Sequence, residues 1–210
     1  MKLYDSHTSP NPRRVRIFLA EKGIAVEKIA VNLAEREQLT PAYRAINSRC
    51  VVPTLVLDDG TALGEVPAIC RYIEETHPEP PLFGRTPLER AVAAMWERRV
   101  ELEGLFPGME LLRNANPALK DRAITGPRNY AQIAELAERA RARLSDFFAD
   151  LDARLAETRF VAGESFSFAD ITAVVAIDFA AKRSGIAMPE GLPALARWYA
   201  AVSSRPSMSA

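Results

Sequence analysis

The spacing of hydrophobic and polar positions divides the chain into two parts. Up to about residue 77, short apolar runs with strand-like alternation are separated by stretches whose apolar residues recur at helical spacing. Beyond about residue 88 the strand pattern stops, and long helical patterns rich in alanine and arginine take over. The pattern therefore predicts an α/β domain over residues 1–77, a linker over 78–87 and an all-α helical bundle over 88–210.

The first part opens with a predicted βαβ unit. After the apolar run KLY, the stretch HTSPNPRRVRIF (residues 7–18) starts an amphipathic helix. We expect Asn11 to cap this helix, Pro12 to occupy its first position and Gly23 to end it. VEKIAVNL (residues 26–33) alternates as a second strand. Because the crossover between the strands is helical, the two strands are predicted to be parallel.

A polar corner formed by Thr8, Ser9 and Asn11 lies where the first strand ends and the first helix begins. The backbone N–H groups at a helix N-terminus have no intrahelical acceptor and carry partial positive charge. Such a corner can hold an anion, but the same residue types also satisfy ordinary turns and helix caps. The residues of this stretch leave both interpretations open.

A predicted ββα unit follows. VPTLVLDDGTAL (residues 52–63) has two short apolar runs joined by Asp-Asp-Gly, which is the pattern of a β-hairpin. EVPAICRYIEETHPEP (residues 65–80) then predicts a helix with Pro67 in its first turn. Ile69, Tyr72 and Ile73 share its apolar face, and the helix is expected to end before the prolines.

Four long helices are predicted in the second part. Their expected ranges are 88–114, 127–156, 168–184 and 195–203. Pro107 is expected to bend or interrupt the first of them. Ser167, followed three residues later by Asp170, resembles a capping box and predicts the start of the third.

Charge and composition limit the ligands to be expected. Lys plus Arg and Asp plus Glu number 27 each, and the isoelectric point is near 6.8. We therefore expect no nucleic-acid and no membrane partner, but a small molecule. No apolar run approaches the ~20 residues of a membrane span, and the N-terminus lacks the apolar segment of a secretory signal. These features predict a cytoplasmic protein.

Cysteine and histidine usage predicts neither a disulfide framework nor a metal site. Cys50 and Cys70 lack CxxC spacing. His7 and His77 are too few for a histidine-rich cluster. We therefore expect no metal cofactor.

The stretch INSRCVVPTLVLDDGTALGEVPAICRYIEE (residues 46–75) closely resembles the glutathione-binding half of the cytosolic glutathione transferases. That family has an Asn-Pro-x-x-x-Val-Pro loop, a hairpin and a Glu-Ser pair that opens a helix. The matching residues here are Asn47, Val52, Pro53, Asp59, Gly60, Leu63, Glu65, Ala68, Ile69 and Tyr72. FVAGESFSFADITA (residues 160–173) is similar to the start of the family's core helix. The resemblance covers nearly the whole chain and implies a thioredoxin-like first domain, with glutathione as co-substrate.

The resemblance implies that the polar corner lowers the pKa of the glutathione thiol, because the thiolate is the nucleophile. In the theta-like branch a serine does this within a Ser-x-x-x-Arg-x-Val pattern, and Ser9, Arg13 and Val15 fall in that register. Ser9 is therefore the first candidate to donate a hydrogen bond to the sulfur. Asn11 and Thr8 are the alternatives, because related bacterial, nu-like branches use an asparagine and a threonine at this corner.

The glutathione contacts are also implied by the resemblance. Val52, which precedes a Pro53 expected to be cis, would offer its backbone N–H and C=O to the cysteinyl part of the ligand. Glu65 would lie near the γ-glutamyl amine. Gln38 takes the place of a histidine that reaches the glycine carboxylate in theta-like members. Val66 replaces the serine of the Glu-Ser pair, so a hydroxyl is missing and glutathione affinity is expected to be low.

The family further implies detoxification, a homodimer and an electrophile pocket between the two domains. Candidate pocket residues are Arg98, Glu101, Leu105 and Arg113. Two other functions stay open at this point. One is a non-catalytic interaction protein that keeps the scaffold, which the missing hydroxyl at Val66 favours. The other is a glutathione-dependent disulfide reductase that uses Cys50.

Overall fold

The computed structural model describes residues 1–210, which form two units. The first unit comprises Met1–Pro80, Thr125–Arg128 and Ser209–Ala210, and the second comprises Pro81–Ile124 and Asn129–Met208. A mixed sheet with helices forms the first unit, and the second is built from helices. The fold class predicted from the sequence, an α/β domain with a helical bundle, is confirmed.

The sheet of the first unit has four strands in the order β2-β1-β3-β4. The strands are β1 (Lys2–Asp5), β2 (Glu27–Ala30), β3 (Thr54–Val56) and β4 (Ala62–Leu63). β1 pairs with β2 in parallel, whereas β3 is antiparallel to both β1 and β4. The predicted βαβ unit and the predicted hairpin are therefore both present.

Helix α1 (Pro10–Glu21) starts two residues earlier than predicted. Ser9 occupies the N-cap position, and Asn11 lies inside the first turn, so the prediction that Asn11 caps this helix is wrong. Pro10 explains the difference, because its fixed φ already suits the first helical position. Gly23 follows the helix with a φ of 67°, as expected for the end of a helix.

Helix α2 (Pro41–Ile46) has no counterpart among the predicted elements. Thr40 caps it by accepting a hydrogen bond from the N–H of Tyr43 at 3.3 Å. Only Tyr43 is buried among its residues, so no apolar periodicity marks the helix in the sequence.

Helix α3 (Val66–Thr76) completes the first unit and packs against α1. Of the three residues predicted on its apolar face, Ile69 and Ile73 are buried and Tyr72 is half-buried. Together with Leu3 and Phe18 the two isoleucines have almost no exposed surface.

The α-helices of the second unit are α4 (Pro87–Val100), α5 (Phe106–Ala115), α6 (Ala134–Glu157), α7 (Phe168–Ser184) and α8 (Pro193–Ser203). Between α4 and α5 the chain widens into a π-helical turn, Glu101–Leu105. Pro107 lies in the first turn of α5 and has no N–H to continue the α-helical hydrogen bonds, so the predicted interruption is confirmed. None of the helices is both long and apolar enough to cross a bilayer.

Helix α6 begins at Ala134, so its predicted start at residue 127 is wrong. The side-chain amide of Gln132 donates to the backbone carbonyls of Arg113 and Asn116, at 2.7 Å each. These bonds tie the preceding segment to the end of α5 in a non-helical conformation. The contacts are distant in sequence, and a local pattern cannot reveal them.

Helix α7 lies in the core of the second unit, and its residues from Phe168 to Ala180 are buried. The capping box predicted from Ser167 and Asp170 is confirmed, because Asp170 Oδ2 accepts the Ser167 N–H at 2.9 Å. Asp170 Oδ1 also accepts the N–H of Val161 at 2.9 Å and the indole N–H of Trp198 at 2.8 Å. Burial raises the pKa of the Asp170 carboxyl, since the charged form loses its water.

Candidate functional site

Four segments of the first unit meet at one end of the strands of the sheet. Asp5 and Ala30, the last residues of β1 and β2, pair with each other. β3 begins at this same end, with Thr54, and β4 terminates there, with Leu63. The loops after β1, β2 and β4 and the loop before β3 therefore leave the sheet on the same side. These four loops carry every glutathione-site candidate of the sequence analysis.

The polar corner lies after β1. Ser9 is partly exposed, and although it occupies the N-cap position, its side chain makes no cap hydrogen bond. Asn11 Oδ1 accepts a hydrogen bond from Arg14 at 3.2 Å, which leaves its NH₂ group pointing away from that partner. The Thr8 hydroxyl lies 3.3 Å from that of Ser6. A role confined to helix capping therefore does not account for the Ser9 hydroxyl.

The loop before β3 is held by a buried hydrogen-bond network. The Tyr43 hydroxyl donates to the Val51 carbonyl at 2.6 Å, and the Asn47 amide donates to the Thr54 hydroxyl at 2.8 Å. Burial raises the pKa of Tyr43, so its hydroxyl stays protonated as a donor. The peptide bond between Val52 and Pro53 is cis, as predicted.

Val52 lies in the loop before β3, beyond the part of that strand that β4 pairs with. β4 ends at Leu63, opposite Leu55, so it does not extend as far as Val52. The Val52 side chain is buried, which leaves its backbone as the part that an added extended peptide could pair with. The geometry suits recognition through the main chain rather than through this side chain.

Glu65 and Val66 form the start of α3. Glu65 is exposed and has a φ of 61° and a ψ of 122°, a combination that strains a residue with a Cβ. Strain of this kind concentrates at ligand-binding positions. Val66 is only 4% exposed, so its side chain belongs to the core, while its N–H sits in the first turn of α3 without an intrahelical acceptor.

Gln38 lies in a short 3₁₀ turn, Glu37–Leu39, after β2. It is partly buried, and its Oε1 is buried without a hydrogen-bond partner. A buried amide oxygen without a partner costs free energy. Because the oxygen and nitrogen of an amide are assigned from their hydrogen bonds, a bound acceptor would select the rotamer that points the NH₂ group towards it.

The matched family models agree with this arrangement. The model of the glutathione S-transferase N-terminal domain matches residues 3–81, and that of the C-terminal domain matches residues 114–206. Glutathione S-transferase 2 of Saccharomyces cerevisiae is 39% identical over 211 residues, which cover 99% of this chain and 88% of the yeast protein. The chain belongs to the glutathione S-transferase family.

Other relatives differ in the share of this chain that their similarity covers. The crystal structure of Gtt2 from Saccharomyces cerevisiae superimposes with a TM-score of 0.90 at 38% identity, covering 100% of this chain and 99% of the yeast chain. Maleylacetoacetate isomerase of Pseudomonas aeruginosa is 44% identical over 93 residues, or 43% of this chain and 44% of the isomerase. The similarity to the yeast structure therefore covers more of this chain than the similarity to this bacterial isomerase does.

The four candidate pocket residues of the second unit differ in accessibility. Leu105 has no exposed surface, and Glu101 is 6% exposed and pairs with Arg98 at 2.6 Å. Arg113 is partly buried at the end of α5, and its Nη1 donates to the Arg122 carbonyl at 2.5 Å. Arg98 and Arg113 are therefore the two of this set with surface that a ligand can reach.

Sequence reasoning missed Tyr43 and Thr54 as residues that build the site. Both act on the loop before β3 through hydroxyl groups, and neither belongs to a motif of charged or polar residues. Thr54 did carry a signal, since it is a hydroxyl residue at the first position of a strand directly after a cis proline. No signal in the sequence indicated the positive φ of Glu65, because glycine is the residue that usually adopts such angles.

Proposed function

We propose that this chain is a glutathione transferase of the detoxifying kind, which stabilises the thiolate of bound glutathione for attack on a small hydrophobic electrophile. The thiol proton goes to solvent, the sulfur forms a bond to the electrophilic carbon, and the leaving group departs with its electron pair. The Ser9 hydroxyl carries the proposal, because it lies at the N-terminus of α1 and makes no cap bond. Its environment favours an anion over a neutral thiol.

Ser9 is the proposed donor to the sulfur, with Asn11 and Thr8 as alternatives in that order. Ser9 is supported by its uncommitted hydroxyl, and Asn11 by the Arg14 bond that leaves its NH₂ group available. Thr8 is the weakest of the three because its hydroxyl is close to that of Ser6. A serine donor would place the chain with the theta-like branch, and an asparagine or threonine donor with the nu-like bacterial branch.

The proposed glutathione site combines main-chain and side-chain groups that lie at the same end of the sheet's strands. Val52, beside the cis Pro53, would pair with the cysteinyl backbone of the ligand, and Glu65 would bind the γ-glutamyl amine. The Val66 N–H and the first turn of α3 would hold the γ-glutamyl carboxylate. Gln38 would donate to the glycine carboxylate through its NH₂ group, in the amide orientation that puts this group in place of the buried Oε1.

Glutathione binding and turnover together test the proposed function. We expect isothermal titration to detect glutathione binding with a Kd below the millimolar range, and a chlorodinitrobenzene to release chloride only when both enzyme and glutathione are present. Binding without turnover of any electrophile would favour an interaction protein. No binding at millimolar glutathione would contradict the proposal.

The reductase alternative is disfavoured by the position of Cys50. Its side chain is 2% exposed, and its Sγ contacts the Ser48 carbonyl at 3.7 Å. A thiol that exchanges with disulfides must be accessible and easily ionised. Cys50 and Cys70 form no disulfide, which is in keeping with the cytoplasmic location that we propose.

The proposed electrophile pocket draws on the second unit. Arg113 is its best-supported member, and Arg98 is accessible but already pairs with Glu101. Glu101 and Leu105 are buried, so they would support the pocket wall rather than contact the substrate.

We also propose a homodimer, which is usual for this family. Four large hydrophobic side chains on α4, the π-helical turn and α5 are exposed: Leu88, Met95, Leu102 and Phe106. Leu88 and Met95 are seven residues apart within α4 and therefore lie on one side of that helix, and Leu102 and Phe106 follow along the chain. An apolar stripe of this kind is suited to burial against a second copy of the chain.

Replacing Val66 by serine tests the missing hydroxyl, with Val66→Ala as the matched control. Both changes remove core methyl groups and should lower stability, but only serine adds a donor near the N-terminus of α3. We expect Val66→Ser to bind glutathione about five- to thirtyfold more tightly than Val66→Ala, the equivalent of about 1 to 2 kcal/mol. Isothermal titration measures the difference. Equal affinities would mean that a hydroxyl at this buried position does not reach the ligand carboxylate, and the missing hydroxyl would then not limit glutathione affinity.

A further inference from the structure

The carbonyl of Val51 is the central acceptor of the network that holds the loop before β3. The Tyr43 hydroxyl donates to this carbonyl at 2.6 Å, and the Asn47 amide donates to it at 3.2 Å. The Thr54 hydroxyl lies 3.4 Å from the same oxygen. Side chains from both ends of the loop therefore converge on one backbone group.

The hydrogen bonds of this network run towards the Val51 carbonyl. A tyrosine hydroxyl has one proton, so while Tyr43 donates to Val51 it can only accept from the Thr54 hydroxyl, 3.1 Å away. The Thr54 hydroxyl in turn accepts from the Asn47 amide at 2.8 Å. Donors linked in this order polarise one another and strengthen the last bond of the chain. That last bond, from Tyr43 to Val51, is also the shortest of the network.

The planarity of the peptide bond carries this restraint to the next residue. The cis peptide bonds of the chain are Val52–Pro53 and Glu79–Pro80, so the bond between Val51 and Val52 is trans. In a planar trans peptide the C=O and the N–H of the following residue point in opposite directions. Because the Val51 carbonyl is held towards Tyr43, the Val52 N–H points away from Tyr43.

The Val52 N–H has no acceptor within the chain. Val52 precedes the paired residues of β3, which begin at Thr54, and its N–H makes none of the backbone hydrogen bonds of the loops. The Val52 side chain is buried in a cluster with Val31 and Tyr43. The cluster anchors the side chain, and the Tyr43 hydroxyl fixes the adjoining peptide, so the direction of this free donor is set from both sides.

We propose that Tyr43 is a positioning residue for glutathione recognition, because its hydroxyl, through the Val51 carbonyl, aims the Val52 N–H at the cysteinyl carbonyl of the ligand. This role rests on the proposed function for its ligand, whereas the direction of the Val52 N–H is a property of the free protein. Tyr43 itself makes no contact with glutathione in this role. It acts on the affinity for the peptide part of the ligand and not on the ionisation of its thiol.

Tyr43→Phe removes the hydroxyl and keeps the ring that packs with Val52. Tyr4→Phe is the matched control, because the Tyr4 ring packs edge-to-face on that of Tyr43, with centroids 5.9 Å apart, and its hydroxyl lies outside the network. We expect Tyr43→Phe to raise Kd and KM for glutathione about three- to tenfold, the effect of one hydrogen bond between uncharged groups. The kcat and the pH at which the bound thiol ionises should not change. Tyr4→Phe should match the wild type in all four quantities.

An analogue of glutathione separates aiming of the N–H from a general loss of loop structure. Replacing the cysteinyl–glycine amide by an E-alkene keeps the shape of the ligand and removes the carbonyl that the Val52 N–H would bind. Isothermal titration should show wild type and Tyr43→Phe binding this analogue within about twofold of each other. Equal weakening of both ligands would contradict the proposal, and so would a Tyr43→Phe protein that binds glutathione like the wild type.

Thr54→Val provides a second variant in case Tyr43→Phe does not fold. It removes the hydroxyl that donates to Tyr43 and keeps the shape of the side chain. We expect it to weaken glutathione binding about two- to threefold, because the Tyr43 bond to Val51 remains but loses its polarising partner. The alkene analogue should again bind like it does to the wild type. A loss of the same size for both ligands would argue against aiming of the N–H.

The direction of the Val52 N–H can be measured without ligand, as the residual dipolar coupling of its isotope-labelled amide. We expect this coupling to change in Tyr43→Phe and to keep its wild-type value in Tyr4→Phe. If it does so but the wild type fails to bind glutathione at millimolar concentration, the orientation by Tyr43 stands and the proposed function fails. If the coupling is the same in all three proteins, the positioning role is wrong, whether or not glutathione binds.

Discussion

Asp170→Ala is expected to lower the free energy of unfolding by about 3 to 5 kcal/mol. The Asp170 carboxylate accepts hydrogen bonds from the Ser167 and Val161 N–H groups and from the Trp198 indole, all buried. Alanine would leave these donors without partners, at about 1 to 3 kcal/mol for each group. Urea denaturation followed by circular dichroism gives the value.

Asp146→Ala is the matched control for this experiment. Asp146 is an exposed residue of α6, and its removal should change stability by less than about 0.5 kcal/mol. Asp170→Asn keeps the shape and one acceptor oxygen, so it should fall between wild type and Asp170→Ala. A loss below about 1 kcal/mol for Asp170→Ala would contradict the role of this carboxylate as the anchor of α7.

Ser9→Ala is expected to reduce kcat near pH 7 at least about tenfold while the KM for glutathione changes little. A hydrogen bond to a charged group contributes about 1.5 to 3 kcal/mol, and this one would be made to the thiolate rather than to the peptide part of the ligand. Because the Ser9 side chain makes no cap bond, the substitution should leave α1 intact. Steady-state kinetics with a chlorodinitrobenzene gives both constants.

Asn11→Ala and Thr8→Ala complete this comparison. If Ser9 is the donor, both should retain activity within a few-fold of wild type. Should Ser9→Ala keep a normal rate while Asn11→Ala loses it, the donor is Asn11. Normal rates in all three variants would exclude the polar corner as the source of thiol activation.

The sequence predicted those parts of the fold that local patterns encode. The alternation of VEKIAVNL, the Asp-Asp-Gly turn and the capping box of Ser167 and Asp170 each produced the expected element. The break at Pro107 followed from a missing N–H, which is also a local property. In each case the residues that decide the structure lie within a few positions of one another.

The errors arose where distant or conformational effects decide the structure. The start of α6 depends on Gln132, which binds carbonyls at the end of α5. Helix α2 has one buried residue, Tyr43, and so lacks a periodic signal. The start of α1 moved because two prolines, Pro10 and Pro12, both suit a first turn, and a pattern alone does not rank them.

The candidate site was only partly accessible to sequence reasoning. A family resemblance supplied Ser9, Val52 and Glu65 as candidates, and the cis bond before Pro53 was expected from it. The strained backbone of Glu65 could not be foreseen, because a residue with a Cβ rarely adopts a positive φ. The burial of Val66 was equally hidden, since the same residue would be exposed if α3 were rotated by part of a turn.

The ultraviolet absorbance of the thiolate, followed during a pH titration of the complex with glutathione, tests the central claim most directly. The account predicts that the thiol of bound glutathione titrates at least about one pH unit below the ~8.5 of a free thiol. In Ser9→Ala the titration should return to within a few tenths of the free value while glutathione stays bound. A wild-type complex whose thiol titrates like free glutathione would contradict the claim that this site stabilises the thiolate.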